Sequence, residues 1–268
     1  YNTYQGALKK SDELSEVTQK SNLNLKRFYS YLVNIEKQDL VTFRLEEFKA
    51  DIEEGMYFDS SIPQGYGVGS SGALVASIYD KYADDKITVL ENLTREKLLK
   101  LKQIFSLMES FFHGKSSGLD PLNSYLSLPI LINSKEHIEP AGIPSQKEGK
   151  GAVFLLDSEQ IGETEPMVSI FMNKMKNEGF RKMISEDFST ITDACIEDFL
   201  QGNIKSLFGN VKSLSKIVLK NFKPMIPDAF HKVWEQGIQS NAYYLKLCGS
   251  GGGGYILGFT EDYKKTQK

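Results

Sequence analysis

The residues best suited to chemistry in this sequence are two carboxylates and the side chains of two glycine-rich segments. Glu109 lies near the end of a periodic helical stretch beside an apolar stripe, with Phe105 and Phe112 as its i−4 and i+3 neighbours. The C-terminal end of a helix disfavours an anion, so a carboxylate there wants a cation. Lys102 or Lys115 could supply one, and a metal ion would serve better still. Asp120, 11 positions further on, follows Ser116-Ser117-Gly118-Leu119 and precedes Pro121. That context predicts an aspartate N-cap with proline at the first helical position, a role compatible with facing a site. Gly114-Lys115-Ser116 imitates the end of a P-loop, but Glu109 stands where that motif needs glycine, so this is not a Walker sequence.

The first glycine segment is Pro63-Gln64-Gly65-Tyr66-Gly67-Val68-Gly69-Ser70-Ser71-Gly72, between an expected strand and an expected helix. Gly65, Gly67, Gly69 and Gly72 let a ligand approach the backbone, and the free N–H groups of the helix start suit a phosphate. Ser70 and Ser71 add hydroxyls, and a serine oxygen can hold Mg²⁺ beside phosphates. The plain alternative is an ordinary loop with Ser70 as N-cap. Gly67, Gly69 and Gly72 also fit the dinucleotide fingerprint G-x-G-x-x-G, with Glu91 19 residues beyond Gly72 as its acidic residue. Against that, Pro63 and Gln64 interrupt the run from strand to glycine, and Tyr57, Asp59, Ser60 and Ser61 make the strand too polar for a buried parallel one. The second segment, Gly249-Ser250-Gly251-Gly252-Gly253-Gly254, has apolar strands on both sides and so lies inside a domain. Five glycines in six positions are costly to order, which points to a close approach to the backbone there.

The elements that must position these residues are legible as periodicity. A helix is expected over 12–34, with Leu14, Val17, Leu25, Phe28, Tyr29 and Leu32 as its apolar set. Residues 1–8 read as the second half of a strand, 56–62 as a strand and 70–82 as a helix. Thr94 is the expected cap of a helix reaching Phe112, with Leu98, Leu101, Phe105, Met108 and Phe112 on one face. A short helix and extended segments near 125–132 follow. Residues 133–151 mix Pro, Gly, Ser and charge without periodicity and suggest a boundary between domains at 1–145 and 146–268. Beyond it come a strand at 152–156, helices near 165–177, 180–201, 204–219 and 227–240, and strands at 242–247 and 255–259. The pattern is α+β, a mixed first part and a helix-rich second part with its own small sheet.

Composition narrows the classes. The chain has 268 residues, 40% hydrophobic and 25% charged, which excludes a disordered or collagen-like protein. Its formal charge of −3 gives no long-range attraction for nucleic acid or an anionic membrane, and no run of ~18 apolar residues occurs. Cys195 and Cys248 lie 53 positions apart, and His113, His137 and His231 stand alone, so neither a disulfide framework nor a zinc site is spelled out. Reduced thiols in a cytoplasmic protein are expected.

In this order, three segments resemble the GHMP kinases, the superfamily of galactokinase, homoserine kinase and mevalonate kinase. Residues 63–73, PQGYGVGSSGA, are similar to the ATP loop P-x-G-x-G-L-G-S-S-A-A; residues 109–120, ESFFHGKSSGLD, to the mevalonate kinase stretch E-x-x-x-H-G-x-P-S-G-x-D; residues 246–257, KLCGSGGGGYIL, to the closing K-L-T-G-A-G-G-G-G. Departures are Val68 for Leu, Gly72 for the first Ala, Ser116 for Pro and Cys248 for Thr. The superfamily's first motif, with a catalytic lysine, would lie ahead of Tyr1. The resemblance implies a GHMP fold, a ribosomal S5 domain 2-like N-terminal domain plus a ferredoxin-like, helix-rich C-terminal domain. It implies ATP on Gly65, Gly67, Gly69, Ser70, Ser71, Gly72, Gly251 and Gly252, Mg²⁺ on Ser71 and Glu109, and Asp120 as the catalytic residue that takes or orients the proton of the acceptor hydroxyl. The implied partner is a small-molecule alcohol such as mevalonate, with a homodimer also open. A kinase for another acceptor, a nucleotide-binding relative without catalysis and, more distantly, an NAD-dependent oxidoreductase stay as alternatives.

Overall fold

The computed structural model describes residues 6–13, 15–88, 93–132, 137–142 and 149–266. Residues 1–5 of the expected first strand, Leu14, Glu91, and 133–136 and 143–148 of the expected boundary lie outside the described residues. The chain divides into two units, one of Tyr1–Pro63 and Gly69–Ala141, the other of Gln64–Val68 and Gly142–Lys268. Helices combined with small antiparallel sheets make it α+β. Among the described residues no helix is long and apolar enough to cross a membrane.

In the first unit, β1 (Gly6–Lys10) pairs antiparallel with β2 (Met56–Ser60), Leu8 opposite Phe58. Between them run α1 (Glu16–Glu36) and α2 (Leu45–Glu53). Leu25, Phe28, Leu32 and Ile35 form the buried stripe of α1. Val17, expected in that stripe, is 77% exposed, because it lies in the first turn, ahead of the buried positions that begin at Asn22. Asn22 itself donates from Nδ2 to the carbonyls of Ile52 (2.9 Å) and Met56 (2.7 Å), tying α1 to the junction of α2 and β2. Then come α3 (Ser70–Tyr82), α4 (Arg95–His113), α5 (Leu119–Leu126) and the antiparallel pair β3 (Ile130–Ile132) and β4 (Ile138–Pro140). Thr94 caps α4 as expected, its Oγ1 accepting from the Lys97 N–H at 3.3 Å. The core gathers Phe28, Phe48, Tyr79, Tyr82, Leu101, Phe105, Met108 and Leu122, with the Phe48 and Tyr82 rings 4.6 Å apart.

Asp51 carries a buried charge beside that core. Asp51 on α2 is bound at 2.6 Å by Lys10 Nζ through Oδ1, and at 2.6 Å by both Lys81 Nζ and the Tyr82 hydroxyl through Oδ2. Burial alone would raise its carboxyl, but those hydrogen bonds outweigh burial and hold it well below the ordinary carboxylate value. Tyr82 moves the other way, pushed far up by burial and by the adjacent carboxylate.

The second unit is built on a three-stranded antiparallel sheet in the order β5 (Ala152–Asp157), β7 (Tyr255–Thr260), β6 (Tyr244–Leu247). Its helices are α6 (Thr164–Lys174), α7 (Glu178–Lys182), α8 (Ser189–Gln201), α9 (Ile204–Asn221) and α10 (Phe230–Ser240), with a short α11 (Tyr263–Thr266) after β7. The single helix expected over 180–201 is instead α7 and α8 joined by a π-helical turn, Met183–Phe188. Phe180 and Phe188 explain the wider turn. An uninterrupted α-helix would set them about 80° apart around its axis, yet both rings pack on Phe222, at 5.6 and 5.5 Å. Val218, Phe222, Met225, Ile226, Trp234, Leu245 and Ile256 form this unit's core. Ser215 on α9 joins three elements, accepting from Trp234 Nε1 at 2.8 Å and from the Leu245 N–H of the edge strand β6 at 3.2 Å.

Candidate functional site

The first unit brings Ser71, Glu109 and Asp120 together through three helix ends. At the start of α3 the cap is Gly69 in a left-handed conformation (φ 78°), so Ser70 is the first helical residue and not the cap. Ser71 comes next, and its hydroxyl donates to Glu109 Oε1 at 3.1 Å. Glu109, four residues before the end of α4, is only 4% exposed, so this carboxylate is almost dry. The start of α5 passes directly over α3. A Cβ at Gly72 would stand 2.7 Å from the backbone of both Asp120 and Pro121, a distance only glycine permits. The Asp120 side chain lies beside Gly69, the cap of α3, and is exposed to solvent.

The expected capping role of Asp120 is corrected. Gly118, left-handed at φ 73°, is the N-cap of α5, which leaves Asp120 as the second helical residue and Pro121 as the third. The backbone of Gly118 is pressed onto α4, with the Lys102 carbonyl oxygen 2.3 Å from where a Cβ would sit, a packing that only glycine permits. A carboxylate in the first turn of α5 still benefits from the helix dipole, and its oxygens are not spent on a cap.

Ser116 is the residue sequence reasoning missed. Its hydroxyl donates to Glu109 Oε2 and accepts from the Gly118 N–H at 3.0 Å. Its backbone is held as well: the carbonyl accepts from the Ser106 hydroxyl at 2.6 Å, and the N–H reaches the Ser110 oxygen at 3.3 Å. Ser106 and Ser110 are four apart on α4, a same-face serine pair that was the available signal.

Among the described residues no group of three His, Cys, Asp or Glu side chains is placed to hold a metal. What Ser71 and Glu109 present is a hydroxyl and a carboxylate with their oxygens in contact, hard donors of the kind Mg²⁺ takes alongside water and phosphate oxygens. The donor set fits Mg²⁺ and does not suit a soft metal.

Gly65, Gly67, Gly251 and Gly252 belong to the second unit. There the glycine run lies flat on its own unit's backbone. The Gly162 N–H donates to the Gly65 carbonyl at 2.8 Å, and the Tyr255 N–H to the Tyr66 carbonyl at 3.1 Å. Gly254, at φ 73°, has the Tyr66 backbone 2.5 Å from where a Cβ would sit, which no other residue type could tolerate. The close approach read from the sequence is therefore made by the protein's own chain. The N–H groups of Gly251 and Gly252 donate to the Cys248 carbonyl (3.3 Å) and the Met225 carbonyl (2.7 Å), so both donors are used within the unit. Tyr66 and Tyr255 meet edge to face, ring centroids 5.0 Å apart. Both cysteines are free thiols; burial raises Cys195 to about 11 and raises Cys248 as well, the reverse of an activated nucleophile.

No family model matches the chain, and no curated protein matches it. Among solved structures, it is similar to the crystal structure of a Lin0012 protein from Listeria innocua, with a TM-score of 0.62. The identity is 14%, and the likeness covers 98% of this chain and 83% of that one. At that identity the two share a fold, and the likeness says nothing of chemistry.

Proposed function

We propose that this protein is an ATP-dependent kinase of the GHMP type that phosphorylates a small alcohol, with mevalonate the acceptor favoured by the resemblance of residues 109–120. The observation that carries the reading is the meeting of Ser71, Glu109 and Asp120 at the glycine-led start of α3. Phosphoryl transfer asks a protein chiefly for positioning and charge neutralisation, and each of these groups has a part in that. The first-turn N–H groups at the positive end of α3 would take phosphate oxygens, with Gly69, Ser70, Ser71 and Gly72 as the contacts. Ser71 and Glu109 would hold Mg²⁺, which neutralises phosphate charge when bound. Asp120 would take the proton from the acceptor hydroxyl at its carboxylate. The resemblance also assigns Gly65, Gly67, Gly251 and Gly252 to the nucleotide. The GHMP fold, a cytoplasmic setting and a role in isoprenoid synthesis belong to the same proposal.

The test is ADP release by the full-length protein with mevalonate, phosphomevalonate, galactose and homoserine, with and without Mg²⁺. Mg²⁺-dependent release with mevalonate is expected; release with another acceptor alone would keep the kinase and change its substrate. Thermal stabilisation by NADH equal to that by ATP with Mg²⁺ would overturn the kinase reading in favour of a dinucleotide site.

A further inference from the structure

We infer that Ser116 is a positioning residue for the metal-binding carboxylate, an inference that rests on the kinase reading above. Glu109 is 4% exposed and has two oxygens to orient. Ser71 holds Oε1, and Ser116 holds Oε2. A hydroxyl that donates to a carboxylate oxygen must also be fixed itself, and Ser116 is fixed at every polar atom. Its Oγ accepts from the Gly118 N–H at 3.0 Å, its carbonyl accepts from Ser106 at 2.6 Å, and its N–H reaches Ser110 at 3.3 Å. The hydroxyl is thus a bridge between Glu109 on α4 and the cap residue of α5, two positions before Asp120. One side chain sets the direction of the metal-binding carboxylate and the start of the helix bearing the proton acceptor. A carboxylate oxygen engaged by a hydroxyl keeps a lone pair for a metal, so the contact orients Glu109 without consuming it. Partners of this kind around a metal ligand are commonly worth ~10–100-fold in metal affinity or activity when removed.

The experiment uses full-length Ser116→Ala and Ser116→Thr beside the unaltered protein. Three quantities are read: the Mg²⁺ concentration for half-maximal ADP release, the melting shift produced by ATP with Mg²⁺, and the melting temperature without ligand. Ser116→Ala should raise the Mg²⁺ half-saturation by about tenfold or more and shrink the Mg²⁺-dependent melting shift, while Ser116→Thr, which keeps a hydroxyl, restores both. A Ser116→Ala protein that melts lower without ligand yet keeps the ordinary Mg²⁺ half-saturation would overturn the inference and leave Ser116 as a loop staple. Failure of the unaltered protein to bind ATP with Mg²⁺ or release ADP would overturn the kinase reading and this inference together. Ordinary activity in the unaltered protein with no change in Ser116→Ala would overturn this inference alone.

Discussion

Two acids illustrate how differently a carboxylate can be used within one unit. Asp120 is exposed, sits in the first turn of α5 and is not its cap. Asp120→Asn therefore keeps the cap intact, costs little stability and should leave ATP binding with Mg²⁺ unchanged. On the proposed kinase reading the rate of ADP release should fall by ~10²–10⁴-fold, the usual worth of a general base; turnover and nucleotide affinity measured side by side would show it, and normal turnover would strip Asp120 of the proposed role. Asp51 is the opposite case, enclosed by Lys10, Lys81 and Tyr82. Its folded-state value is depressed below the usual 3.8. A depressed acid contributes stability that is present above its unfolded value and is lost as pH falls through the folded one. The melting temperature of the protein should accordingly drop steadily below about pH 4, and Asp51→Asn should flatten that fall while lowering stability at neutral pH by about 2 kcal/mol. An acid limb unchanged in Asp51→Asn would assign the acid sensitivity elsewhere.

At the scale of elements, legibility followed the strength of the local signal. Glycine before it, an apolar stripe along it and a drop in periodicity after it gave α3 its bounds, 70–82, and Thr94 marked the start of α4. Weak or misleading signals failed. α2 buries only Phe48, Asp51 and Ile52 and left no stripe to read, and β4 is three residues whose pairing with β3 is a tertiary fact. The π-helical turn inside 180–201 goes with two rings, Phe180 and Phe188, meeting on Phe222, which periodicity cannot foresee. In the candidate site, Glu109 and Asp120 stood out by type and context, whereas the Asp-Pro pair wrongly suggested a cap because the compact Gly118 could start the helix sooner. Ser116 looked like a simple departure from a pattern until its four contacts were seen. The close crossing of α3 and α5 at Gly72 carries a prediction. Gly72→Ala would drive a methyl to 2.7 Å from the Asp120 and Pro121 backbone, so α5 must shift. Overpacking of that kind costs ~1–3 kcal/mol. Melting temperature should fall accordingly, and turnover should fall more than nucleotide affinity, because Asp120 moves with α5; an unaltered melting point would show the crossing to be loose.

At the scale of the whole molecule, the second unit is not one continuous stretch of chain, since Gln64–Val68 belongs to it together with Gly142–Lys268. The backbone of Gly65 and Tyr66 accepts the N–H groups of Gly162 and Tyr255. Those two amides should exchange slowly with deuterium in the intact protein and much faster in a fragment comprising 142–268, which lacks their acceptors. Equal protection in both would mean that 64–68 contributes nothing to the unit's order. The same arrangement sets a timetable during synthesis. Tyr66 leaves the ribosome 188 residues ahead of Gly254 (254 − 66), which at ~5–20 residues per second is a wait of about 10–40 s. For that interval the early segment lacks its bond to β7, and its glycines, with no side chains to bury, are well suited to waiting in water without misdirecting the chain that is still to come.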